Sequence, residues 1–250
     1  MTDLSLRVLG CGDAFCSGGR SQTCFHVSTP EQTLLLDCGA TALLAMQQQG
    51  IDPADIDGIL LSHLHGDHFG GVPFFLMHAQ FEAKRTRPLV IVGPEGTKDR
   101  IDAAIDVLFP DIKGIAWQFP LEVIELEAGE RATVGDVTLS SYLVDHPSGA
   151  PALAFRLTNR KTTLAFSGDT RWTDTLIDIA DGVDLMILEC HSYRPNGVHH
   201  LDWQTLNAHQ TSLRAGRILL THMSDSMLSR LSTLEAGRFE FAEDGFVTTI

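Results

Sequence analysis

The 250-residue chain carries 18 Lys and Arg against 32 Asp and Glu, a formal net charge of −14, with 44% hydrophobic and 20% charged residues. This composition is that of a globular chain able to bury a sizeable core, and no apolar run reaches the length that spans a bilayer. The acidic balance argues against an extended nucleic-acid partner, which needs a basic face to neutralise phosphates.

Leu4 to Leu9 reads as a first strand running into Gly10-Cys11-Gly12-Asp13-Ala14-Phe15, where Phe15 stands in place of the third glycine of a dinucleotide loop. Strands are expected at Cys24–Val27 and Thr33–Asp37, then a helix capped by Thr41 and stopped at Gly50. Ile59-Leu60-Leu61 is a short buried strand. It leads into Ser62-His63-Leu64-His65-Gly66-Asp67-His68, followed by the Gly70-Gly71 break. Phe74, Phe75, Met77, His78 and Phe81 recur at helical spacing up to Arg87-Pro88, with Lys84, Arg85 and Arg87 as a solvated helix end. Leu89–Val92 is a strand turned by Gly93-Pro94, and Thr97–Leu108 an amphipathic helix. Trp117–Leu126, Arg131–Val134 and Val137–Val144 read as successive strands, the last ending at Asp145-His146. Leu153–Leu157 and Thr162–Phe166 follow, ending in Ser167-Gly168-Asp169-Thr170, with a helix from Trp172 to Ala180. Leu185–Leu188 ends at Glu189-Cys190-His191, Asp202 caps a helix carrying Trp203, Leu206 and Leu213, and Ile218–Leu220, read as the last buried strand, ends at Thr221-His222.

Several buried strands thus terminate in His, Asp or Glu, the place where α/β proteins set their chemistry. No linker, low-complexity tract or repeat interrupts the pattern, so residues 1–250 are read as one domain. The five cysteines, Cys11, Cys16, Cys24, Cys38 and Cys190, are odd in number and lack C-x-x-C spacing, so they are read as reduced, packed thiols. Met1-Thr2-Asp3 lacks the basic start of a signal peptide, and a cytoplasmic protein is expected.

His63, His65, Asp67, His68, His146, Asp169 and His222 are seven candidate metal ligands, too many for one tetrahedral zinc. They divide as His63, His65 and His146 for one ion and Asp67, His68 and His222 for the other, with Asp169 between. The expected cofactors are two divalent ions, zinc first, with manganese or iron accepted by the same ligand types.

The H-x-H-x-D-H run from His63 to His68 resembles the signature of the metallo-β-lactamase fold superfamily. Leu36-Asp37-Cys38-Gly39, His146, Ser167-Gly168-Asp169-Thr170 and Leu220-Thr221-His222 follow in that superfamily's order. The resemblance is greatest to the branch of ribonuclease Z and related phosphodiesterases. It implies an α/β fold, an αββα four-layer sandwich of two mixed β-sheets flanked by helices. It implies also a dinuclear hydrolase in which a metal-bridging hydroxide attacks phosphorus and Asp67 both binds metal and assists the nucleophile. A further histidine of that branch corresponds to His200 in Val198-His199-His200-Leu201-Asp202, with His199 its close competitor. His200 is the candidate general acid and Glu189 the residue that would orient it.

The arm with which ribonuclease Z clamps transfer RNA would fall between His146 and Asp169. These are only 23 positions apart, filled by two strands and a turn. A small or short phosphodiester substrate is therefore expected ahead of transfer-RNA 3′ processing, with arylsulfatase, ester or lactone hydrolysis as further alternatives on the same ligands. A homodimer is the expected assembly.

Overall fold

The computed structural model describes residues 4–197 and 199–250. Met1-Thr2-Asp3, on which the reading of the leader rests, and Val198 lie outside the described residues. Two seven-stranded sheets face each other. In the first, β1 (Ser5–Gly10), β2 (Cys24–Ser28) and β3 (Thr33–Leu36) run antiparallel, and β4 (Gly58–Leu60), β5 (Leu89–Pro94) and β6 (Leu121–Leu126) continue parallel to β3. In the second, β7 (Arg131–Val134), β8 (Val137–Val144), β9 (Ala152–Asn159) and β10 (Thr162–Phe166) alternate in direction. There β11 (Leu185–Glu189), β12 (Arg217–Thr221) and β13 (Phe239–Phe241) extend parallel to β10. A last strand, β14 (Val247–Thr249), returns to pair with β1. This is the expected αββα sandwich.

Both sheets are apolar where they meet. Leu6, Val8, Phe25 and Leu36 from one pack against Leu139, Phe155, Phe166 and Ile187 from the other, with the Phe25 and Phe166 rings edge to face at 5.7 Å. The outer face of the first sheet is covered by α1 (Ala42–Gln48), α2 (Gly66–Phe69), α3 (Val72–Met77) and α4 (Thr97–Leu108), through Met46, Phe69, Phe75 and Ile101. The outer face of the second is covered by α5 (Thr175–Ala180), α6 (Trp203–His209) and α7 (Asp225–Leu228), through Leu176, Leu206 and Met227. Parallel strands buried on both faces explain why β4, β11 and β12 read as apolar runs without alternation.

Several local readings change. The strand expected from Trp117 begins only at Leu121, after Pro120, which has no N–H to give a ladder. Gly93-Pro94 extends β5 in register with Glu125 and Leu126 instead of turning. The helix expected from Trp172 begins at Thr175, and that from Asp202 ends at His209, before Leu213, although Leu213 is still buried. Finally β13 and β14 follow β12, three-residue strands too short to show a period. Thr41 also departs from its expected capping role, since its hydroxyl accepts from the Gln22 backbone N–H at 2.8 Å.

Candidate metal centre

The parallel strands β3, β4, β10, β11 and β12 all point their C-terminal ends to one edge of the sandwich, and β8 ends there too. The residues just past them are Asp37, Ser62 to His68, His146, Asp169, Glu189 and His222. Topology alone therefore gathers side chains that lie up to 185 positions apart, from Asp37 to His222.

Close backbone approach fixes the H-x-H-x-D-H segment. The Cys38 N–H donates to the His68 carbonyl at 2.6 Å and the Gly71 N–H to the Cys38 carbonyl at 2.8 Å. A Cβ on Gly71 would lie 2.3 Å from the Gly39 carbonyl oxygen, so the second glycine of the pair is required for this contact. Two non-glycine residues at the site hold positive φ, Asp37 at 56° and His222 at 60°. This uncommon conformation turns each side chain at its strand end.

The imidazoles are oriented from behind. His63 Nδ1 lies 3.0 Å from Ser62 Oγ, and His68 Nδ1 lies 2.6 Å from Asp37 Oδ2. His146 Nδ1 donates to the His199 carbonyl at 2.8 Å. With Nδ1 engaged in this way, each Nε2 presents a lone pair inward, the tautomer that a metal ligand needs. Asp37 holds the His68 side together, since its other contacts are the Ser62 N–H at 2.7 Å and the Ser62 hydroxyl at 2.8 Å.

Inward, one carboxylate oxygen stands at the centre. Asp169 Oδ2 lies 3.2 Å from His68 Nε2, 3.4 Å from His222 Nε2, 3.8 Å from His63 Nε2 and 3.9 Å from His146 Nε2. Asp67 Oδ2 lies 3.1 Å from His222 Nε2 and 3.3 Å from His68 Nε2. His65 Nδ1 and His146 Nε2 approach to 3.1 Å. The donor atoms form overlapping sets, each within 4.8 Å: His63 with His65 and His146, Asp67 with His68, Asp169 and His222, and at the rim His146 with Asp169 and His200, and Glu189 with His200 and His222. Buried His63 Nε2 has no hydrogen-bond partner. An orphaned imidazole nitrogen facing a carboxylate, and pairs of imidazole acceptors pressed together, are what a cation between them would satisfy. The residues present therefore suit two metal ions.

On their own, the clustered imidazoles and carboxylates act strongly on one another, and His68 holds a second proton where a cation would sit. Burial pushes His63 well below the ordinary imidazole range, with His68 adding to it. Burial acts on His68 in the same direction but is outweighed by Asp169, Asp37 and Asp67, which raise it well above that range. Asp169 is held well below the carboxylate range because the His222 and His68 imidazoles outweigh its burial.

His200 lies at the edge of the cluster, partly exposed, with Nδ1 at 3.1 Å from Glu189 Oε1 and 3.7 Å from Asp169 Oδ2. Glu189 is fully buried and also accepts from the Thr170 and Leu201 backbone N–H groups. Burial raises the Glu189 carboxyl, while burial of His200 is outweighed by the hydrogen bond and charge of Glu189 together with the charge of Asp169, which lift it to about 9. His199 instead is exposed at the side chain and contributes its carbonyl to His146, so geometry separates the two neighbouring histidines.

Two further groups had no assigned role in the sequence reading. Asp37 orients His68, as described above; its position in Leu36-Asp37-Cys38-Gly39 at a strand end was the available signal. His191 stacks on His200 with ring centroids 4.6 Å and planes 23° apart, and its Nδ1 is buried without a partner. Its Nε2 faces Asp13 Oδ2 at 3.9 Å. Only its place two residues past Glu189 hinted at this.

The sandwich and its edge of histidines and aspartates are those of the metallo-β-lactamase fold, shared with solved structures that include human tRNase Z, short form, at 20% identity and a TM-score of 0.77 over 98% of this chain and 99% of that one. A family model described as "Anti-Pycsar protein Apyc1" matches residues 4–248, and the chain belongs to that family. It is 26% identical to "Probable metallo-hydrolase YhfI" of Bacillus subtilis, over 98% of this chain and 99% of that one. It is 28% identical to a ribonuclease Z of Mycobacterium bovis, over 74% of this chain and 69% of that one. Among solved structures, a diphosphatase from the PhnP family superposes with a TM-score of 0.79 at 16% identity, covering 99% and 98% of the two chains. Unliganded yeast PDE1 superposes with a TM-score of 0.74 at 14% identity, over the full length of both. These likenesses, with the His/Asp cluster, define a metallo-hydrolase family.

Proposed function

We propose that the protein is a metal-dependent phosphodiesterase acting on a small or short phosphodiester. The observation that carries this reading is the His200–Glu189 pair beside the seven-group cluster, a proton donor set at the rim of a metal-binding floor. His63, His65 and His146 would hold one divalent cation and Asp67, His68 and His222 the other, with Asp169 shared. The cations, zinc first and manganese or iron by the same donor chemistry, would supply Lewis acidity for activating water and stabilising charge on phosphoryl oxygens.

The chain's own residues do the rest. Asp67, with Oδ2 against His222 and His68, is placed to orient the incoming water. His200, tied by Nδ1 to Glu189, keeps Nε2 for the proton that the departing alkoxide needs. Glu189 positions that imidazole and holds its charge. Water gives up one proton to solvent by way of Asp67 as it adds to phosphorus, the bond to the departing oxygen breaks, and the His200 proton goes to that oxygen, giving a monoester and an alcohol; His200 then regains a proton from solvent.

Sequence likeness to ribonuclease Z supports a second reading, cleavage of transfer-RNA 3′ ends. Against it, β9 and β10 join through Arg160 and Lys161 alone, which leaves no arm there to clamp a transfer RNA. The net charge of −14 also opposes it. We read residues 1–250 as one cytoplasmic catalytic domain, working as a homodimer. Free, mostly buried cysteines fit a reducing compartment, and no helix among the described residues is long and apolar enough to cross a membrane.

The test is a screen of metal-loaded protein against bis(p-nitrophenyl) phosphate, cyclic nucleotides, aryl sulfates, lactones and precursor transfer RNA. Turnover of phosphodiesters without 3′ trimming is expected. Efficient trimming would reverse the ranking, and activity on sulfates or lactones alone would replace it.

A further inference from the structure

A cavity of about 310 Å³ opens at His200. One wall is Arg171 and Trp172, from the stretch that leaves β10, another includes Pro195, and Asp202 and Thr205 close it at the start of α6. Trp172 does not enter α5, which begins at Thr175. It stacks instead on His209 of α6, with ring centroids 4.0 Å and planes 21° apart, so the indole is fixed where it lines the cavity. Arg171 is fixed as well: its Nε donates to Asp145 Oδ2 and its backbone N–H to the Asp145 carbonyl at 3.1 Å, immediately before His146. Both Asp202 oxygens are engaged by Thr205, one by its N–H and one by its hydroxyl. A larger cavity, about 590 Å³ between α4 and β6, touches none of the site residues.

We propose that the groove at His200 is the subsite for the departing alcohol, and that it receives a planar aromatic group carried on that alcohol. The inference rests on the phosphodiesterase reading and extends it to the substrate class. A side chain that protonates the departing oxygen must lie next to it, so whatever that oxygen carries extends over the surface His200 helps to line. That surface offers an immobilised indole, which favours a flat π system over an aliphatic chain. Arg171, its guanidinium paired with Asp145, stands at the mouth of the groove. The ring could belong to a nucleoside or to a simple aryl alcohol. The shared chemistry is a flat aromatic ring on the leaving oxygen.

Two diesters separate the leaving from the retained half. Bis(p-nitrophenyl) phosphate carries an aryl group on both sides, and methyl p-nitrophenyl phosphate only on the side that departs. With metal-loaded Trp172→Ala, kcat/KM should fall about ten-fold for both diesters, with Trp172→Phe recovering most of the loss and metal content unchanged in both variants. A fall confined to the bis-aryl substrate would assign the groove to the retained half and overturn the proposal, as would no fall for either. If the wild-type protein hydrolyses neither diester, the phosphodiesterase reading fails and the leaving-group assignment with it. A second arm needs no turnover: indole N–H signals of metal-free protein are followed by NMR during titration with adenosine, phenol and glycerol. The signal lost in Trp172→Phe should shift saturably, with adenosine if the alcohol is a nucleoside and with phenol if it is an aryl alcohol. A shift with glycerol alone, or with none of the three, contradicts an aromatic subsite.

Discussion

The segment from Ser62 to His68 and the segment from Glu189 to Asp202 face the same centre, yet they are built differently. The first is a buried, contiguous run whose imidazoles are locked by Asp37, Ser62 and the Cys38 backbone. The second is a half-open loop in which one buried carboxylate, Glu189, fixes one partly exposed imidazole, His200. In the proposed reaction the first would hold the cations, and the second would set which bond is broken and what departs. On that reading a dense ligand set specifies reaction class, while the sparser rim specifies the substrate.

The comparison breaks first at Asp169, the carboxylate proposed to be shared by the two cations. Asp169→Ala should lower the metal content from close to two ions per chain to one or fewer, measured by elemental analysis, and reduce kcat on bis(p-nitrophenyl) phosphate by about 10³-fold or more. A wild-type protein saturated by a single ion would instead remove the bridging role.

Asp37 tests the locking of the first segment from outside the ligand set. Asp37→Asn keeps the shape but weakens the acceptor for His68 Nδ1, and metal affinity measured by chelator competition should fall about 10- to 100-fold. Unchanged affinity would mean that His68 is held by packing alone.

The smallest effect lies far from both segments, on β2. Burial, with Arg7 adding to it, lowers the pKa of His26 in the folded protein. The imidazole is therefore neutral when folded and takes its proton first in the unfolded chain. Its contribution to stability is complete above about pH 6.5, the ordinary imidazole value, and is lost as pH falls from there toward the lower folded value. In metal-free protein, His26→Gln should flatten the decline of Tm in that window by a few degrees.

The strand ends were legible because several buried runs stop at or just before a titratable residue, which is why the seven clustered groups could be named from the chain alone. His63 to His68 was plainest, since four of the seven fall in six positions. Roles that depend on neighbours distant in sequence were not legible. Trp172 carries an apolar residue's signal for a helix, and only the stack on His209 shows it as a groove wall. His191 looked like one more strand-end residue, and its stack on His200 is set by where the loop after β11 returns. The strands β13 and β14 escaped notice because three residues cannot display alternation and their pairing partners, β12 and β1, lie well away in the chain.

The division of labour between floor and rim is tested most directly by the leaving-group dependence of His200→Ala. Across a series of phosphodiesters of rising leaving-group pKa, kcat/KM of His200→Ala relative to wild type should fall progressively. The deficit should grow from near none for p-nitrophenolate to about 10²- to 10⁴-fold for alkyl alcohols, with two metal ions per chain retained. A deficit equal across the series, or one accompanied by loss of metal, would contradict the account.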